Sequence, residues 1–248
     1  KTLTVAFLLC LVCAMVVASA AVMLKPLQET NKALDRKKNI LAAAGMLDET
    51  LSIEEQFEKV TPKVINLKTG EFTDEYTAEN FDLKKVATNP ETSKKLSPKE
   101  DIAKIQRRAD YAVVYLVKQD GELDKVILPV HGYGLWSTLY GFIALENDTN
   151  TIAGLGFYEH GETPGLGGEV DNPRWKAQWP GKKVYREGEA AIQLIKGTVD
   201  SSRDGAKWQV DGLAGATLTG NGVTYMLRFW LGEMGYQTFL EKLRNGEV

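Results

Sequence analysis

Residues 3–24 carry no charged side chain, and Thr4 and Ser19 are their only polar residues. Coiled as an α-helix, such a run spans about 33 Å, slightly more than the ~30 Å hydrocarbon core of a bilayer. Lys1, the apolar stretch and Ala18-Ser19-Ala20 also fit a secretory leader with a small-residue cleavage site. The stretch is longer than a usual leader core, so residues 1–25 are read as a retained transmembrane anchor. No Met precedes Lys1, from which we expect further residues ahead of it. Charge leaves the orientation open. Lys25, Lys32, Arg36, Lys37 and Lys38 follow the span, and only Lys1 precedes it. Taken alone this bias puts the rest of the chain in the cytoplasm, but the count lacks whatever stands before Lys1.

The chain has 248 residues, 44% hydrophobic and 25% charged, which is enough apolar material for a real core. A net charge of −3, from 30 basic and 33 acidic residues, argues against a nucleic-acid surface. Two histidines (His131, His160) and two cysteines are too few for a multi-ligand metal centre. Cys10 and Cys13 both lie in the apolar run, which excludes a disulfide framework. Ala14 rather than His follows them, so c-type haem attachment is excluded and plain packing in lipid suffices.

Beyond Pro26, residues 30–44 read as a helix with an apolar edge of Leu34, Ile40, Leu41 and Ala44 and a stop at Gly45. Ser52-Ile-Glu-Glu55 has the capping-box pattern of a short helix, ended before Pro62. Residues 71–101 are polar and read as loop or irregular surface. Strands are expected at 111–117 and 125–130 about an Asp120-Gly121 turn, and at 141–145 and 151–158 about residues 147–150. A helix start is expected at Asn172-Pro173, a strand at 190–195, and closing helices at 221–231 and 236–243. Hairpins in the middle with helices around them give an α+β fold with a largely antiparallel sheet.

Two glycine-rich segments carry the candidate chemistry. In Asp211-Gly-Leu-Ala-Gly-Ala-Thr217-Leu-Thr219, glycine permits close backbone approach to a ligand. The helix expected from Val223 would present free N–H groups and the positive end of its dipole. That suits a phosphate, with the Thr217 and Thr219 hydroxyls able to donate to it or be esterified by it. A Gly-rich turn without a ligand fits the same residues. The second segment, His160-Gly-Glu-Thr-Pro-Gly-Leu-Gly-Gly168, follows a strand and by itself reads as a surface turn.

Taken together, Glu162-Thr-Pro-Gly-Leu-Gly167 and Asp211-Gly-x-x-Gly-Ala-Thr217 closely resemble the FMN-binding domain of the NqrC subunits of sodium-pumping NADH:quinone reductases. Leu34-Asp-Arg-Lys-Lys-Asn-Ile-Leu41 and Phe229-Trp-Leu-Gly232 extend the resemblance to nearly the whole chain. It implies FMN attached as a phosphoester to Thr217 by a separate flavin transferase, which draws on FAD and reads a motif including Asp211. It implies cofactor contacts from Glu162, Thr163, Gly165 and Leu166, and from Asp211, Gly215, Ala216, Leu218 and Thr219. Trp136 and Leu166 are candidates to pack on the isoalloxazine, and Thr163 to hydrogen-bond a polar flavin atom. Lys207 is a candidate to stabilise a reduced, anionic flavin. The plainer readings are core packing for Trp136 and Leu166 and a solvated charge for Lys207. Ala214 departs from the family pattern, which has Ser or Thr there; one hydroxyl near the phosphate is lost while the acceptor is intact.

The resemblance further implies a protein of the bacterial inner membrane with its soluble part in the periplasm. The expected organisation is an anchor at 1–25, a helical linker and irregular part at 26–109, and the FMN-binding domain at 110–248. The implied task is electron relay, which needs neither a substrate pocket nor a general base. The implied partners are the other subunits of the reductase, including a membrane subunit that bears its own flavin. A single span forms no ion path alone, so the NADH and quinone sites are expected in those partners. The RnfG component of the Rnf electron-transport complex shares both motifs, but the 34–41 segment favours the sodium pump. A reading from another class is a membrane-anchored, non-redox ligand-binding or scaffold domain.

Overall fold

The computed structural model describes Lys1–Val248 throughout and divides into two units, Lys1–Lys38 and Asn39–Val248. Most of the first unit belongs to helix α1 (Thr2–Ala43), the one helix long and apolar enough to cross a membrane. The apolar side chains of residues 3–24, Leu3, Phe7, Val17 and Val22 among them, are exposed. Pro26 lies inside α1, where the sequence had suggested the end of one helix and the start of another. A proline removes one i→i−4 donor. The helix continues past it, and Thr30 Oγ1 donates to the Pro26 carbonyl at 3.1 Å.

The second unit takes in the last turn of α1 and continues with α2 (Ile53–Phe57), β1 (Val60–Asn66), β2 (Glu71–Phe72), α3 (Leu83–Thr88), β3 (Ser93–Lys95) and β4 (Arg107–Ala109). Four longer strands follow: β5 (Tyr111–Gln119), β6 (Glu122–Tyr133), β7 (Thr138–Glu146) and β8 (Ile152–Glu159). The main sheet has six strands in the order β2-β1-β5-β6-β7-β8, and every pairing is antiparallel. After it come α4 (Pro173–Lys176), α5 (Thr217–Leu231) and α6 (Gln237–Asn245). The expected α+β class and antiparallel sheet are both present.

Successive residues of β5 are apolar because both faces of the sheet are covered there. Ala112, Val114 and Leu116 enter one buried cluster, together with Val223, Met226, Leu227 and Trp230 of α5. Val113, Tyr115 and Val117 enter a second cluster, with Ile40, Leu41, Ala43 and Ala44. Each fully buried Val, Leu, Ile or Met among them contributes about 2 kcal/mol. This packing holds α5 against β6, and α5 begins at the candidate acceptor.

Several elements differ from the sequence expectation. The short helix after Ser52 ends at Phe57, and residues 60–66, for which no strand was expected, form a strand of the main sheet. Residues 71–101, expected as loop, contain β2, α3 and β3. The single strand expected at 190–195 is two short ones, Glu189–Ala190 and Gln193–Leu194, the latter pairing parallel with Gln209–Val210. Helix α5 starts at Thr217, several residues before the expected position.

Candidate functional site

The early start of α5 changes the chemistry available at Thr217. Thr217 becomes the first helical residue, Ala216 stands at the N-cap, and no side chain caps the helix. The first-turn N–H groups of a helix have no intrahelical partner. Here they sit beside an exposed Thr217 hydroxyl. Gly215 enters the turn at φ +70°, a left-handed conformation that glycine adopts without penalty. A Cβ at Gly215 would also lie 2.9 Å from Leu166 Cδ2, so the two glycine-rich segments touch at this point. Ala216 and Leu213 are buried beneath the turn and hold it down.

A cavity of about 520 Å³ adjoins Thr217, lined by residues 194–198 on one wall and by 211–215, Thr217, Gly220 and Asn221 on the other. Asp211 ties these walls together. Its Oδ1 accepts from the Val199 N–H at 2.7 Å, and the neighbouring Gly212 N–H donates to the Gly197 carbonyl at 2.9 Å. Its own carbonyl accepts from Trp175 Nε1 at 3.0 Å, and its N–H donates to Gln178 Oε1 at 3.1 Å. Ala214 lines the cavity and is exposed.

Glu162 organises the other side. It is 5% exposed, yet it carries a carboxylate. Oε1 accepts from the N–H groups of Leu135, Trp136 and Ser137 at 3.1, 3.0 and 3.3 Å. Oε2 accepts from Thr219 Oγ1 at 2.6 Å. Burial pushes this carboxyl upward, but the Thr219 hydroxyl and the three backbone donors outweigh it and hold the group below the usual glutamate value. The carboxylate fits only because its neighbours lack side chains. A Cβ on Gly134 would lie 2.6 Å from Oε1, and one on Gly167 would lie 2.7 Å from Oε2. His160 braces the same loop, with Nδ1 accepting from the Glu162 N–H at 3.2 Å and Nε2 donating to Asp171 Oδ2 at 2.8 Å.

The expected site residues therefore fall into distinct positions. Trp136, Leu166 and Leu218 are 66, 43 and 60% exposed, so none of them is core. Thr163 and Gly165 are exposed, and the Thr163 carbonyl closes the turn by accepting from Leu166 and Gly168. Thr219, expected at the phosphate, is fully buried and donates to Glu162 instead. Lys207 is exposed on the short turn Asp204–Trp208, where its carbonyl accepts from the Lys183 N–H, and it does not line the cavity beside Thr217. Sequence reading missed Gly134, Ser137 and residues 195–198. The glycines at 134 and 197 were the available signal, but each stood alone without a polar motif.

Residues 134–232 match the FMN-binding domain family. The matched segment runs from the Glu162-bound turn to the end of α5 and so contains every group described above. The chain is 54% identical over 253 residues to the NqrC-type subunit of the Na(+)-translocating NADH-quinone reductase of Pseudomonas aeruginosa, covering 100% of this chain and 97% of that one. It is 48% identical over 252 residues to the same subunit of Vibrio campbellii, with 99 and 95% covered. The chain belongs to the NqrC family of Na(+)-translocating NADH-quinone reductase subunits. Solved members share the fold. The crystal structure of Shewanella oneidensis NqrC superposes with a TM-score of 0.79 at 41% identity, over 87% of this chain and 99% of that one. The corresponding crystal structure from Parabacteroides distasonis gives 0.66 at 30% identity, over 88 and 96%. The whole-length match to NqrC carries the family beyond the two motifs that RnfG shares.

Proposed function

We propose that this chain carries FMN as a phosphoester on Thr217 Oγ1 and relays electrons between redox centres of neighbouring subunits in a sodium-pumping NADH:quinone reductase. The observation that carries this reading is Thr217 itself. It is an exposed hydroxyl on the first residue of a helix with no side-chain cap, within a segment matching the FMN-binding family. The names of the relatives support the complex to which the chain belongs.

When bound, the flavin supplies the electron-transfer chemistry; the chain supplies attachment and surroundings. The first-turn N–H groups of α5 would hold the phosphate oxygens, whose charge the helix dipole favours. Trp136, Leu166 and Leu218 would cover the ring, since they are the exposed apolar residues carried by the segments that meet here. Thr163 and Gly165 shape the turn that presents Leu166, and the Thr163 hydroxyl would serve a polar flavin atom. Asp211, Gly215 and Ala216 set the acceptor turn that the flavin transferase would read. Lys207 would act at longer range, as an exposed charge favouring an anionic flavin and screened by solvent.

Residues 1–25 would anchor the chain in the bacterial inner membrane, with the FMN-binding part in the periplasm. The NADH, quinone and sodium sites would lie in partner subunits, among them a flavin-bearing membrane subunit. Denaturing electrophoresis under ultraviolet light tests the attachment. The wild-type chain should give a fluorescent band and an intact mass raised by one flavin phosphoester, and Thr217→Ala should give neither. A band that survives Thr217→Ala would overturn the assignment.

A further inference from the structure

Three segments distant in sequence converge on the Glu162 carboxylate. They are the turn 134–137 between β6 and β7, the loop 160–168 after β8, and the first turn of α5. Every side-chain or backbone group bonded to its oxygens is a donor: three N–H groups and one O–H. Four donors match the acceptor sites of an ionised carboxylate. Each exposed apolar residue of the site is placed by this cluster. The Trp136 N–H is itself one of the donors. Leu166 precedes Gly167, whose missing side chain leaves room for Glu162 and Thr219. Leu218 precedes Thr219, and Thr217 stands two residues before it. Ser137 adds a further tie, its Oγ accepting from the Gly161 N–H at 2.6 Å.

We propose that Glu162 and Thr219 do not touch the flavin but act as a positioning pair, fixing Trp136, Leu166 and Leu218 in one frame around the Thr217 acceptor. This inference rests on the flavin reading above. An error of about 0.5 Å in such a frame is enough to alter how a bound group is held. The pair therefore sets the flavin's orientation and immobility, whereas Thr217 and its turn set whether the flavin is attached.

The test uses the full-length chain purified in detergent, with covalent flavin counted by in-gel fluorescence. Visible circular dichroism and fluorescence anisotropy of the flavin are then measured per attached flavin. Thr219→Val and Glu162→Gln should keep the fluorescent band but lose about twofold or more of the flavin's circular dichroism and anisotropy. Thr219→Ser, which restores the hydroxyl, should recover the wild-type signals. Thr219→Val deletes a single hydrogen bond and keeps the test open if the charge-neutral Glu162→Gln chain folds poorly. Wild-type flavin signals in Thr219→Val, or a Thr219→Ser chain no better than Thr219→Val, would overturn the positioning role. A wild-type chain with no fluorescent band would instead overturn the flavin reading, and this inference with it.

Discussion

Glu162 and Thr217 belong to one site and are built in opposite ways. Glu162 is buried, and four protein donors meet its two oxygens. Thr217 is exposed, begins a helix that nothing caps, and adjoins a cavity and bare apolar side chains. In the buried half both carboxylate oxygens already have protein donors and are shut away from solvent. The open half keeps its donors and apolar surface free. The difference separates two tasks that a motif search merges, because residues of both halves occur in the same glycine-rich segments. On the proposed reading, groups left unsatisfied by the fold would receive the flavin, and groups it satisfies would hold the receivers in place.

Substitutions can break that contrast, and the largest effect should come from the open half. Thr217→Ala should abolish covalent flavin while shifting the free energy of unfolding by no more than about 0.5 kcal/mol, as an exposed change does. A large fall in the thermal midpoint would show that Thr217 is structural as well. Gly167→Ala attacks the buried half, because its Cβ would stand 2.6 Å from Thr219 Oγ1 and 2.7 Å from Glu162 Oε2. Overpacking of this kind costs about 1–3 kcal/mol, and a thermal midpoint equal to wild type would mean that the cluster yields easily. Gly215→Ala falls on the border between the halves. It forces a side chain into φ +70° and against Leu166, at a cost of about 1–2 kcal/mol. Its flavin incorporation should fall more than its stability, measured by the band intensity against the thermal midpoint.

The smallest effects are in pH. Glu162 has a folded pKa held below its ordinary value of 4.5. Its contribution to stability is therefore present above that value and is lost as pH falls through the lower folded value. His131, between Tyr140 and Trp230, is depressed by burial from 6.5 to about 4. An unfolded chain protonates this histidine first, so its contribution is full above 6.5 and declines as pH falls toward 4. The His131 window opens at higher pH than the Glu162 one. His131→Phe should flatten the thermal midpoint between about pH 7 and pH 5 and leave the more acidic Glu162 region unchanged; an unaltered slope would remove His131 as its source.

Local signals in the sequence led to the parts of the fold that local interactions decide. The Ser52 capping box forms as expected, with the Ser52 N–H donating to Glu55 Oε2 and the Glu55 N–H to Ser52 Oγ. The hairpins of β5 to β8 follow from their apolar, β-branched strands and short turns. Strand β1 was hidden by Pro62. It pairs with β5 along its length, while β2 reaches only Ile65 and Asn66. Pro62 thus lies where the sheet has no second neighbour, and a missing N–H is tolerated there. The start of α5 was hidden by Gly220 and Gly222, poor helix formers whose helical state depends on the burial of Val223, Met226 and Leu227 over the sheet. The site was legible as a motif but not as a division of labour. Only the fold shows that the Thr219 hydroxyl turns inward to Glu162 while Thr217 faces out.

The Glu162 carboxylate also bears on when the site comes into being. Its partners stand 27, 26 and 25 residues before it and 57 residues after it. No fragment ending short of Thr219 can complete the cluster, and a nascent chain has closed loops of all these lengths before the frame around Thr217 exists. The frame around Thr217 is thus a late product of folding. A flavin on Thr217 would date the chain that bears it, marking one in which β6, β7, β8 and α5 have already met.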